Sequence, residues 1–192
     1  MKEFTVAIAS LLALAALAAG ALVEDRRCAR CWTFSRHRHG QRNPSTSLKT
    51  LASAQADFRA NDRDGDGVQQ FWRADVSGLY TIAPGSGDAI KLIELSVASA
   101  DARPTTDILK YAVQAPKAGY WFRAIRHADE DPKALDPQRF AFCAFPDAPS
   151  AGKYIFIIDE NNTIFRSLAA GRRGVEVFPT GEELRTSWTK LD

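Results

Sequence analysis

The stretch Ser47–Tyr80, SLKTLASAQADFRANDRDGDGVQQFWRADVSGLY, decides how the rest of the chain is read. Leu48, Leu51, Ala52 and Phe58 recur at helical spacing on one face, and Gln55 is the one polar residue in that stripe. Just upstream, Asn43-Pro44-Ser45 supplies a cap and a first-turn proline, so the spacing predicts a helix from there to Asn61. Asp62, Asp64 and Asp66 then alternate with Arg63, Gly65 and Gly67, and Phe71, Trp72, Leu79 and Tyr80 return the chain to an apolar core.

Downstream, Thr81–Gly87 has the composition of a loop. Asp88 is placed to cap a short second helix with Ile90, Ile93 and Val97 on one face, ended by Ala102-Arg103-Pro104. From Gly119 the apolar period changes to two. Tyr120–Ile125, Phe140–Phe145 and Tyr154–Ile158 read as strands, with a shorter fourth at Thr163–Arg166. Asn161-Asn162 suits a tight hairpin turn, because asparagine tolerates positive φ. Short turns between successive strands imply an antiparallel meander. Thr180-x-x-Glu183 is a capping box that opens a short C-terminal helix, with Leu184, Trp188 and Leu191 expected to face the sheet.

Upstream lies a different kind of sequence. Phe4–Val23 carries no charge over 20 residues, about what the roughly 30 Å hydrocarbon layer of a bilayer requires. It reads as a single-pass membrane anchor. Small residues at Ala16, Ala18, Ala19 and Ala21 leave a cleaved signal peptide as the rival reading. Arg26, Arg27, Arg30, Arg36, Arg38 and Arg42 follow, a basic linker suited to anionic lipid headgroups. The positive-inside bias would keep that flank in the cytoplasm. Cys28, Cys31, His37 and His39 are candidate zinc ligands in the spacing C-x2-C-x5-H-x-H, tighter than a zinc finger. The same residues fit a basic linker with incidental cysteines, or a local disulfide after export. The division expected is therefore 1–23 anchor or signal, 24–45 linker and 46–192 globular domain. A net charge of +2 over 192 residues argues against a nucleic-acid partner, and three cysteines cannot build a disulfide framework.

The acidic turn is the strongest chemical signal. Asp62, Asp64, Asp66 and Gly67 match positions one, three, five and six of a calcium loop, Val68 offers its carbonyl at position seven, and Gln70 stands at nine. Position twelve is Arg73, which excludes a standard EF-hand; Asp75 is the carboxylate next in reach, and Arg63 and Arg73 are candidate neutralising cations. A weak calcium site is the expectation, against the plainer alternative of a solvated Asp/Gly turn. For catalysis, His127 beside Asp129, Glu130 and Asp131 reads as a solvated loop feature, and Cys143 among aromatics as a buried hydrophobe. The chain is not expected to be an enzyme.

After an apolar N-terminal helix come SLKTLASAQADFR, NDRDGDGVQQFW and DVSGLY, then GYWFRAI, FAFCAFP and GKYIFIIDENNTIFR. This order resembles pilin-like and pseudopilin-like proteins of bacterial envelopes, in a subgroup with an NDxDGDG loop after the helix. The resemblance spans about Thr46–Arg166. It implies an α+β fold: an apolar anchor helix, an amphipathic helix packed on an antiparallel β-meander of about four strands, and a short C-terminal helix. It also implies an extracytoplasmic domain tethered to the cell membrane through residues 4–23, with a structural or protein-interaction role alongside pilin-like or envelope partners. Glu3 precedes Phe4 where pilin precursors carry glycine, and Ile8 stands where they carry glutamate. A calcium-dependent binding module for a glycan or surface partner is the alternative.

Overall fold

The computed structural model of the chain describes residues 44–191 apart from 86, 132 and 135. The apolar segment 4–23, the linker up to residue 43, and Cys28, Cys31, His37 and His39 lie outside the described residues. Among the described residues no helix is long and apolar enough to cross a membrane.

Helix α1 covers residues 44–60, already helical two residues inside the segment assigned to the linker. Leu48, Leu51 and Phe58 are buried along the stripe that the spacing marked. Gln55 is fully buried among them, and the reason is specific. Its Oε1 accepts the Trp72 backbone N–H at 2.9 Å and its Nε2 donates to the Trp72 carbonyl. The amide therefore stands in for a strand neighbour, satisfying a peptide that would otherwise be buried unpaired. Trp72 packs against Phe58 at 6.0 Å between ring centroids, and its ring lies over Gly78, where a Cβ would collide with it.

Four strands form the meander: β1 (Tyr120–His127), β2 (Ala141–Pro146), β3 (Tyr154–Asp159) and β4 (Ile164–Leu168), paired antiparallel in sequence order. Two further strands flank them, β5 (Val177–Phe178) parallel to β1 and β6 (Thr189–Lys190) antiparallel to β4, giving the order β5-β1-β2-β3-β4-β6. The fold is thus α+β with a six-stranded mixed sheet, not a purely antiparallel sheet of about four strands. The two added strands are two residues each, too short to leave a period-two trace in the sequence.

Both faces of the sheet are apolar. Tyr120, Phe122, Phe142, Ala144, Phe156 and Ile158 share one core with α1, while Ile125, Cys143, Phe145, Ile155 and Ile157 belong to a second. That second core is closed by the C-terminal segment. From β4 at one side of the sheet the chain crosses to β5 at the other, then returns through α4 (Gly181–Ser187) to β6. The capping box of α4 is present, with the Glu183 N–H donating to Thr180 Oγ1 and the Thr180 N–H to Glu183 Oε2. Leu184 and Trp188 pack on the second core as expected, but Leu191 is exposed.

The second helix also departs from expectation. Only α3 (Leu95–Ala98) is helical, and residues 88–93 form neither helix nor strand beside α2 (Gly78–Thr81), with Lys91 at φ 49°. The Ile90 N–H donates to the Ile82 carbonyl and the Leu92 N–H to the Leu79 carbonyl, both at 2.8 Å. Those tertiary bonds outweigh a weak helical period.

Tyr120 is fully buried, and its hydroxyl makes no hydrogen bond; burial pushes its pKa up to about 12. A Cβ on Gly152 would collide with that hydroxyl and with Cζ behind it. Tyr120→Phe should therefore leave stability level or raise it by about 1 kcal/mol, because it removes an unpaired polar group. Gly152→Ala should cost about 1–3 kcal/mol, and the double variant should recover part of that loss. Calorimetric melts of the four proteins decide the matter; strictly additive effects would remove this account.

Candidate metal centre

Helix α1 ends where Asp62 enters the left-handed region at φ 46°, followed by Gly65 at 71° and Gly67 at 83°. The loop is laced by its own acids. Asp62 Oδ2 accepts the Gly67 N–H at 3.0 Å, Asp66 Oδ1 accepts the Val68 N–H at 2.8 Å, and Asp66 Oδ2 accepts Gln70 Nε2 at 2.6 Å. These bonds fold the loop around Asp62 and Asp66, and one oxygen from each of Asp62, Asp64 and Asp66 lies within 4.8 Å of the others. Asp62 Oδ1 and Asp64 Oδ1 are buried and make no hydrogen bond. Burial, with the charges of Asp66 and Asp62, holds the Asp64 carboxyl above its usual range.

The donor set is all oxygen, on alternate residues of a glycine-hinged turn, which fits a hard cation such as calcium rather than zinc. Asp62, Asp64 and Asp66 are brought together as the spacing predicts. Gln70 is held to Asp66 through its amide nitrogen, and Val68 is half exposed.

Three expectations about the surroundings are corrected. Arg63 does not neutralise the triad; its Nε meets Asp57 Oδ1 at 2.7 Å, back on α1. Arg73 is spent on Glu130, with Nη1 and Nη2 at 2.7 and 2.8 Å from the two carboxylate oxygens, and on the Asp136 carbonyl. Asp75 is no spare ligand either. Its oxygens accept from Trp72 Nε1, Ser77 Oγ, the Gly78 N–H, and both the N–H and the hydroxyl of Thr105 and of Thr106. Although burial opposes ionisation, those donors hold its pKa below the ordinary value.

Beside Asp75, Asp101 accepts the N–H groups of Val76, Ser77 and Arg103 at 2.7–2.9 Å. Burial, helped by the charge of Asp75, nevertheless pushes its pKa up to about 6. Asp101 was not singled out in the sequence, where the only sign was a lone acid closing the small-residue run Ser96–Ala100.

His127 is not a solvated loop residue. It ends β1 almost fully buried, its ring 5.0 Å from that of Phe178, with Nε2 3.2 Å from the Phe140 carbonyl and 3.1 Å from Glu160 Oε2. The carboxylate partner of its imidazole is Glu160, from the β3–β4 turn, while the carboxylate of Glu130, in its own loop, meets only its backbone N–H. Burial lowers the pKa of His127, but Glu160 more than offsets this and the net shift is upward. Arg139 spans Glu160, at 3.5 Å from Nε, and Asp129, at 2.9 and 3.0 Å from Nη1. These groups face a cleft of about 410 Å3. Cys143 is buried on β2, and burial pushes its thiol up to about 12, where it is neither nucleophile nor ligand.

Comparison of the chain with known protein families, with curated proteins and with solved structures finds no match.

The Arg73–Glu130 pair yields a pH prediction. Burial alone would raise the pKa of Glu130, but Arg73 and the N–H groups of His127 and Asp136 bring it down to about 2. Its stabilising contribution is therefore complete above the unfolded value, near 4.5, and is lost as pH falls toward 2. Glu130→Gln, which resembles the protonated side chain, should cost about 3 kcal/mol or more at pH 7. In urea titrations from pH 7 to 3, the gap between variant and wild type should shrink below about pH 4.5. A gap that holds constant across that range would refute the assignment.

Proposed function

We propose that this chain is a membrane-tethered, non-catalytic component of the bacterial cell envelope whose pilin-like domain is ordered by one calcium ion and serves protein–protein interaction. The observation that carries the reading is the Asp62–Asp64–Asp66 cluster. Three carboxylates converge at the end of α1, two of their oxygens are buried without a partner, and Arg63 and Arg73 are committed to other acids. Like charges held this close cost free energy that a cation removes. Asp62, Asp64 and Asp66 would hold the ion, with the Val68 carbonyl and Gln70 as further oxygen donors.

The tether rests on the apolar run 4–23, and the pilin-like reading on a helix–loop–sheet order in which α1 packs on the meander. Two observations favour a role other than catalysis. The thiol of Cys143 is buried, and the imidazole of His127 is held between Glu160 and a backbone carbonyl. A calcium-dependent glycan module draws less support, since Phe71 and Trp72, the aromatics beside the loop, pack against the core. An extracytoplasmic location would suit the loop, because an ion site lacking the position-twelve glutamate belongs to the affinity range of roughly 10⁻⁴–10⁻³ M.

Thermal melts of the full-length chain in uncharged detergent test the reading. Calcium at about tenfold over its Kd stabilises by about 1.4 kcal/mol, or about 3–5 °C in Tm. Asp64→Asn should abolish that shift, while Asp57→Asn, outside the triad, should keep it. The signs should also cross. Without calcium Asp64→Asn melts higher than wild type, because a repulsion is gone, and with calcium it melts lower. If calcium shifts wild type and Asp64→Asn equally, the site is wrong.

A further inference from the structure

Carboxylates meet seven of the cations among the described residues. Arg63 faces Asp57, Arg73 faces Glu130, Arg103 and Arg123 share Glu176, Arg139 faces Asp129 and Glu160, and Lys110 and Lys117 meet Asp107 and Glu94. One cleft, of about 500 Å3, gathers three cations that are not among these pairs. It lies between the β2–β3 connection and the turn that follows β4, and Lys153, Arg172 and Arg173 line it, all three exposed. Among the described residues no carboxylate pairs with any of them. The one acid on the wall, Asp147, accepts Trp121 Nε1 at 2.7 Å.

One of the three cations is also held in place. Arg172 donates from Nη2 to the Leu168 carbonyl at 2.7 Å and from Nε to the Ala169 carbonyl at 3.3 Å. Those acceptors are neutral, so they fix the guanidinium without cancelling its charge. The turn that carries it is wound against steric preference, with Ala170 at φ 46° and Gly171 at φ 80°. The left-handed region costs an alanine roughly 1 kcal/mol, and such strain gathers where a ligand or a switch needs it.

We propose that this cleft binds a phosphoryl oxyanion carried on a small apolar body. Two guanidinium groups and an ammonium on one wall supply the positive charge and N–H donors that phosphoryl oxygens take. Leu168, 60% exposed at the rim, and Pro146 and Pro149 on the wall give the organic portion an apolar flank. The same chemistry is offered by a soluble phosphomonoester and by the headgroup of an anionic phospholipid.

Calorimetric titration of the full-length chain in uncharged detergent micelles separates these sources. The probes are sn-glycerol 3-phosphate and dioctanoyl phosphatidic acid, with dioctanoyl phosphatidylcholine to subtract partition into micelles. Saturable binding should weaken about tenfold or more in Lys153→Gln/Arg173→Gln. It should persist in Lys91→Gln/Lys110→Gln, which removes equal charge elsewhere. Phosphatidic acid binding at least about tenfold tighter than glycerol phosphate assigns the cleft to a lipid headgroup, and no such preference assigns it to a soluble phosphomonoester. Circular dichroism melts confirm that both double variants are folded. Absence of saturable heat with either probe, or equal weakening in the two double variants, overturns the proposal.

Discussion

The fold hangs on a buried carboxylate with no cation beside it. Asp75 gathers donors from two segments far apart in the chain, Trp72–Gly78 and Thr105–Thr106, and so ties the end of the acidic turn to the approach into the sheet. Asp101 completes the tie. It accepts from Val76 and Ser77, and the backbone on either side of it pairs with Phe122 on β1, through the Phe122 N–H to the Ala100 carbonyl and the Ala102 N–H to the Phe122 carbonyl. An ionised Asp75 held by neutral dipoles, with the carboxyl of Asp101 beside it, leaves little latitude, since loss of one donor exposes charge to a poorly polarisable interior. The short helix α2 and the buried stripe of α1 are positioned through this junction, by way of Trp72 and its bracket from Gln55.

Periodicity carried the architecture of the central elements. The α1 stripe and the alternation in β1 to β4 are each set by a long run of residues that face one environment, so the pattern is written many times over. What was not legible is instructive. In β2 all six residues are buried because both faces of the sheet are covered, so Cys143 and Phe142 look alike in sequence while belonging to different cores. β5 and β6 are fixed by their neighbours, not by their own composition. The 88–93 segment has helical spacing and forms no helix, because the backbone groups of α2 stood open to pair with it.

The chemistry divides in the same way. The aspartate triad is local, so residue spacing alone placed its members together. Arg73 was misread because its partner is remote: it finds Glu130 57 positions away, as His127 finds Glu160 across the sheet. No short-range pattern encodes such pairs. The cluster Lys153, Arg172 and Arg173 is of this kind too, assembled from two turns and visible only once the strands between them are laid side by side.

One feature of the topology bears on how the protein is made. The residues that close the second core, Ala169, Val175, Phe178, Leu184 and Trp188, all follow β4 in the chain. During synthesis the meander can therefore assemble against α1 while Phe145, Ile155 and Ile157 still face water and both lateral strands offer unpaired backbone. A single late segment then masks that surface and shuts both sides at once, with β5 against β1 and β6 against β4. A nascent or clipped chain lacking residues after about 170 would present a wide oily face between two adhesive borders, the form most prone to self-association and most in need of a chaperone.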